Sequence, residues 1–198
     1  LTALKQTCNH PAQFLDIKNP KISESGKMEL LVDILSNILD ANEKVLIFTQ
    51  YVEMGKLIQE LISKKFKQEV LFLHGSQTRI EKANVIDTFQ EDENYKILVA
   101  TLKTGGTGLN LTAAQNVIHY DLWWNPAVEN QATDRVHRIG QENDVMVYRF
   151  ITKVTLEETI DAISKHKTDL ASKSIVSDET FLTEMTNEEL KEVLKLRL

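Results

Sequence analysis

The chain has 198 residues, 42% of them apolar and 26% charged, an ordinary globular composition that argues against disorder and makes disulfides unnecessary for folding. Its single cysteine, Cys8, excludes an intrachain disulfide; its five scattered histidines exclude a structural zinc site, and no apolar run approaches the ~20 residues of a membrane span. The net charge is −6 and concentrates in residues 155–198, so a bulk basic footprint is absent and any nucleic-acid contact must come from a local surface.

The chain begins at Leu1 in mid-pattern and reads as an excised piece of a longer protein. Residues 1–25 read as a short helix and then a loop, with Cys8 as a small buried hydrophobe and Asn19-Pro20 and Ser23 to Gly26 as turn composition. From Lys27 the period is helical, with Leu31, Ile34, Leu35 and Ile38 on one face. Short apolar runs then alternate with helical stretches. The runs are 45–48, 70–73, 97–100, 117–120 and 145–148. The helices are marked by Leu57, Ile58, Leu61 and Ile62, then by Ala83, Ile86 and Phe89, and then by residues 126–138. Runs apolar on both faces, separated by helices, predict a doubly wound α/β domain with a parallel sheet over 44–153. Residues 1–43 form a helical lead-in to it. Residues 154–198 form a helical tail, with capping boxes at Thr155-Leu156-Glu157-Glu158 and Thr186-Asn187-Glu188-Glu189.

Ligands of such sheets sit outside the carboxyl ends of the strands, so the loops there are the places to search. Ser25-Gly26-Lys27-Met28 is not a phosphate loop: no strand precedes it, and Met28 stands where the motif needs a hydroxyl. No acidic pair stands at a strand end as a magnesium site. Thr101 to Leu111 follows a strand and holds Gly105, Gly106 and Gly108, which expose N–H groups to anionic oxygens or simply form a tight turn. Gln131, Arg135 and Arg138 fall on one helical side and suit a polyphosphate; the plainer alternative is surface pairing of Arg135 with Asp134 or Glu129. Trp123-Trp124-Asn125-Pro126 places one ring in the core and the other against a partner, or both in the core. His74-Gly75-Ser76 leads into a helix N-terminus, where anions bind or a hydroxyl merely caps, and Gln50 lies on the same rim.

Taken in order, these stretches resemble the C-terminal RecA-like lobe of helicase superfamily two, and more narrowly the Swi/Snf-type DNA translocases, small prokaryotic members included. The strings that carry the likeness are Val45 to Tyr51, His74-Gly75-Ser76, Thr104 to Leu111, Asp121 to Pro126, Gln131 to Gln141, and Cys8-Asn9-His10-Pro11. Asp134 stands where strand-separating relatives usually carry glycine, which favours the Swi/Snf type.

The resemblance implies a DNA-dependent ATPase working as half of a two-lobe parent, with the isolated fragment inactive. ATP and Mg2+ would be held mainly by an N-terminal RecA-like lobe. Arg138, Arg135 and Gln131 would be catalytic, and Gly106, Gly108 and Asp134 would serve the cofactor. Gln50, Gly75, Ser76, Thr101, Lys103 and Trp124 would face double-stranded DNA. The tail from Thr155 resembles the bracing helices that follow this lobe. No membrane is implied; the setting would be cytoplasm and nucleoid in a prokaryote, or nucleus in a eukaryote. Two alternatives stand beside this one: a lobe of a strand-separating helicase, and a non-catalytic binding module that has kept the fold.

Overall fold

The computed structural model describes residues 2–15, 17–101, 104, 111–123, 126–134, 136 and 144–162. Helices α1 (Thr2–Asn9) and α2 (Pro11–Phe14) and a 3-10 turn (Ile22–Glu24) lead into α3 (Gly26–Asp40). There follow β1 (Val45–Thr49), α4 (Val52–Phe66), β2 (Val70–Leu73), α5 (Arg79–Glu91), β3 (Ile97–Thr101), β4 (Asn116–His119), α6 (Pro126–Thr133) and β5 (Met146–Arg149). Residues 156–162 are again helical. Among the described residues the strands form one all-parallel sheet in the order β2-β3-β1-β4-β5. This is the doubly wound α/β arrangement expected from the alternation of runs and helices, and the RecA-like fold that the resemblance implies.

Each strand sends alternate side chains to opposite faces. Val45 and Ile47 of β1, Val70 and Phe72 of β2, Ile97 and Val99 of β3 and Ile118 of β4 meet Met28, Leu31 and Leu35 of α3 and Met54, Ile58 and Ile62 of α4. Their neighbours Leu46, Phe48, Leu73, Leu98, Ala100 and Val117 meet Phe89 of α5, Ala132 of α6 and Val136 on the other face. Gly55 of α4 lies so close to Phe72 that an added Cβ would stand 2.4 Å from the ring.

Several local expectations shift. β4 and β5 begin and end one residue away from the predicted runs: β4 starts at Asn116, whose backbone N–H and that of Gln115 both donate to the carbonyl of Lys44, and β5 starts at Met146, bound to Gln115. β5 is half uncovered, with Met146 57% and Val147 39% exposed. The helix predicted over 126–138 ends at Thr133. The Asp134 N–H still reaches Asn130, but that of Val136 turns back only to Thr133, and residues 137–138 lie outside the described set. On α5 Ala83 faces solvent and Phe89 alone is fully buried.

Cys8 is half-buried rather than a core residue, and burial pushes its thiol up. Thr155 does cap the helix that follows, accepting from the N–H of Glu157 (3.2 Å). The reciprocal carboxylate Glu158 bonds the Val154 N–H instead, where the backbone is left-handed with φ of 58°. The box expected at 186–189 lies outside the described residues.

Candidate functional site

The carboxyl edge of the sheet gathers the loops that the sequence marks. Thr49 and Thr101 end adjacent strands in register, and both are buried. Thr101 Oγ1 lies 2.8 Å from Thr104 Oγ1. At Gly75, one strand further over, an added Cβ would meet among the described residues only Thr104 Oγ1, at 3.9 Å, an ordinary contact. Gly75 and Thr101 are thus brought together across Thr104, and nothing in the described chain requires Gly75 to lack a side chain.

Ser76 is exposed and its hydroxyl is 2.7 Å from His74 Nδ1, so it does not act as the cap; Thr78 caps α5 through a reciprocal pair with Glu81. The Thr78 hydrogen bonds hold the exposed Glu81 carboxyl below its usual range. The carbonyl of Gly75 receives Lys82 Nζ at 3.3 Å.

Beyond β1 and β4 the rim is organised by a buried acid. Asp121 is fully buried. Its Oδ2 accepts from Thr49 Oγ1 (2.5 Å) and Asn9 Nδ2 (3.2 Å), and its Oδ1 from the Gln50 N–H (2.9 Å). Burial raises its carboxyl above the ordinary range, against the pull of Thr49, Lys5 and Lys27. Gln50 is half-buried: Nε2 donates to the Leu122 carbonyl and Oε1 accepts from Lys5 Nζ (3.3 Å).

Lys27, next to the rejected phosphate-loop string, is a buried strut. Its Nζ donates to Asn9 Oδ1 (3.2 Å), the Tyr120 carbonyl (3.1 Å) and Glu157 Oε1 (2.6 Å). Ser25 caps α3 and donates to the Asn9 carbonyl at 2.6 Å. His10 Nδ1 accepts from the Ala12 N–H, which leaves Nε2 to donate to the Lys21 carbonyl (3.0 Å).

On α6, Glu129 and Ala132 turn inward and Gln131 outward, and Asp134, just past the helix, is also exposed. Glu129 accepts from the Trp123 N–H (2.7 Å) and from Arg149 Nε (2.9 Å), whose guanidinium also bonds Asp161 (2.8 Å). The Arg149 and Trp123 donors oppose the burial that raises the Glu129 carboxyl. The Thr133 hydroxyl lies 2.9 Å from buried His119 Nε2, and the His119 ring stacks on Phe48. Burial, with Arg149 nearby, pushes His119 down to about 4. Trp123 is partly buried against the second core face, and its indole N–H finds no partner among the described residues. Lys103, Gly106, Gly108, Trp124, Arg135 and Arg138 lie outside the described residues.

Among the described residues no group of three His, Cys, Asp or Glu side chains could hold a metal ion. The rim carboxylates Asp121 and Glu129 are already engaged by internal donors, so the described rim does not fit Mg2+. What it offers at its surface is the exposed Gly75 backbone, the exposed Ser76 hydroxyl and the half-buried Gln50 amide, a set suited to oxygen-rich anions.

The sequence marked Asn9 in a family string, Lys27 in the rejected phosphate-loop string and Glu157 in a capping box, but gave none of them this role, and it left Lys5 unmarked.

The fold and rim define a RecA-like lobe with its loops displayed at one sheet edge. Residues 26–140 match the family described as Helicase conserved C-terminal domain. The chain is 46% identical over 198 residues to YwqA of Bacillus subtilis (strain 168), provisionally named an ATP-dependent helicase/translocase, across 99% of this chain and 21% of that protein. It is 38% identical over 174 residues to the mouse DNA excision repair protein ERCC-6-like, across 87% of this chain and 14% of that one. The Sulfolobus solfataricus SWI2/SNF2 ATPase core domain superposes with a TM-score of 0.86 at 41% identity, covering 100% of this chain and 40% of that one. The same core solved in complex with dsDNA also gives 0.86 at 41% identity, over 100% of this chain and 41% of that one. The chain belongs to the helicase conserved C-terminal domain family, in its Swi/Snf branch. It spans about a fifth or less of the length of these curated relatives.

Proposed function

We propose that this chain is the C-terminal motor lobe of an ATP-dependent double-stranded-DNA translocase. The observation that carries the reading is the convergence of Gly75, Thr101 and Thr104 at the carboxyl edge of β2 and β3, beside Gln50 at the end of β1. These groups suit phosphate oxygens rather than base edges, so binding would tolerate sequence and weaken with salt. The likeness to a Sulfolobus SWI2/SNF2 ATPase core solved with dsDNA supports duplex DNA as the ligand.

In this reading Gln50, Gly75, Ser76, Thr101, Lys103 and Trp124 face the duplex. Gly106, Gly108 and Asp134 serve the nucleotide, and Arg138, Arg135 and Gln131 complete the catalytic site, with Arg138 as the arginine finger. Gln131 on α6 and Asp134 just beyond its end are both exposed and can face a partner lobe. ATP with Mg2+, held mainly by an N-terminal RecA-like lobe of the parent, supplies the phosphoryl group. Two guanidiniums on a rim stabilise transferring charge but do not make a pocket, so lobe closure is the activating event.

Residues 1–43, 44–153 and 154–198 serve as lead-in, lobe and brace, and the buried Lys27–Glu157 contact supports their acting as one unit. The setting is wherever the parent meets DNA: nucleoid in a prokaryote, nucleus in a eukaryote. The test is ATP turnover by the full parent with duplex, single-stranded or no DNA, in wild type and Arg138→Ala. We expect duplex-stimulated turnover that falls about 10³-fold or more in the variant, the scale of arginine-finger losses. Turnover indifferent to both would reject the reading.

A further inference from the structure

Helix α1 reaches the rim through two side chains, Asn9, which bonds Asp121, and Lys5. Lys5 is 1% exposed, and its ammonium donates to the carbonyl of Leu122 (2.6 Å) and to Oε1 of Gln50 (3.3 Å). Gln50 Nε2 donates to the same Leu122 carbonyl. Three segments far apart in sequence therefore close one ring: α1, the residue after β1, and the loop after β4.

Burial lowers the Lys5 ammonium from the usual lysine range, although Asp121 and Glu157 oppose the shift. A methionine would fill a similar volume without desolvating a charge, and replacing buried charge by apolar groups is often neutral or stabilising. Packing alone therefore gives no reason for a lysine here, whereas donor geometry does. An amide flanked by a cation on its oxygen and a carbonyl on its nitrogen can adopt one orientation only. Its second N–H then points away from Leu122, on a side chain that is half-exposed. The Leu122 carbonyl, bound twice, fixes the direction in which the chain leaves toward Trp123.

We propose that Lys5 is a positioning residue for this rim: through Gln50 and Leu122 it presets the Gln50 amide and the path into the two tryptophans, so that a duplex backbone meets a preformed surface. The consequence for DNA rests on the function proposed above; the preset of the loop does not.

Trp123 and Trp124 are the two tryptophans of the chain, so its intrinsic fluorescence reports this loop. In Lys5→Met we expect red-shifted emission and stronger acrylamide quenching, at a melting temperature equal to or above that of wild type. Unchanged emission and quenching would overturn the proposal, as would a loss of stability without a fluorescence change, which would make Lys5 a packing residue. Should Lys5→Met fail to fold, Gln50→Met removes another corner of the ring from a half-exposed position; it is expected to give the same fluorescence change, and its absence there overturns the proposal equally. In the full parent, Lys5→Met is expected to raise the apparent Kd for duplex about tenfold, the scale of one charge-assisted hydrogen bond, with turnover at saturating duplex unchanged. A wild-type parent indifferent to duplex defeats the translocase reading instead and leaves the fluorescence to decide the role of Lys5.

Discussion

Lys27 and Glu157 lie 130 positions apart in sequence, and their charged atoms meet at 2.6 Å with both side chains buried. Breaking one side of such a pair strands the other charge in a site with little water. Among the described residues Glu157 would keep only the Thr152 N–H, at 2.8 Å. Lys27→Met is expected to lower unfolding free energy by about 3–5 kcal/mol, and the double variant Lys27→Met/Glu157→Leu to recover much of that loss. Urea melts of the four proteins measure the coupling; additive losses would show that the two side chains act separately.

His119 gives the fold an acid-sensitive element. Its folded value of about 4 lies below the ordinary 6.5, so between those values the unfolded chain takes up a proton that the native chain refuses. Its contribution is therefore complete above about pH 6.5, declines as pH falls, and levels off near pH 4, amounting to about 3 kcal/mol. Asp121 and Glu129, whose carboxyls burial raises, act in the opposite sense. The clean measurement is the stability difference between wild type and His119→Gln, which cancels those two. It should change with pH across that window, and a flat difference would contradict the assignment.

Gly55→Ala is expected to lower stability by about 1–3 kcal/mol through overpacking, because the new methyl group would collide with the Phe72 ring between α4 and β2. A thermal melt that leaves the midpoint in place would show that the ring yields freely.

Gly75→Ala separates fold from function. Among the described residues nothing obstructs a methyl group at Gly75, so stability should hold or rise by about 0.4–1 kcal/mol as the unfolded chain loses freedom. Duplex binding by the parent should nevertheless weaken, since the methyl group occupies the side facing a ligand. Titration with labelled duplex measures this; unchanged affinity would remove Gly75 from the DNA surface.

The sheet was legible because β1 and β3 are apolar on both faces, a pattern that fits a covered parallel strand and little else. The ends of β4 and β5 were less so: Tyr120 looks like a strand residue and still donates to Phe48, yet its hydroxyl is drawn to the Asn9 carbonyl (3.0 Å). The rim loops were legible as strings. What organises them was not. A lysine on an amphipathic helix normally reads as a solvent-facing residue, and Lys5 and Lys27 invert that reading only because Asp121, Glu157 and several carbonyls arrive from far along the chain. Local periodicity carries no record of such partners. Gln50 was legible as a rim residue, but its engagement with Leu122 and Lys5 required coordinates.

The Lys27 contact also bears on how the protein is made. α3 emerges from the ribosome well before residue 157, so its buried ammonium has no carboxylate to meet until Glu157 has been synthesised. At usual elongation rates that wait is on the order of ten seconds. During it the lead-in helices can collapse onto nascent strands while Lys27 keeps its water, so the lead-in and the start of the brace lock together only once the whole of 44–153 has been translated between them.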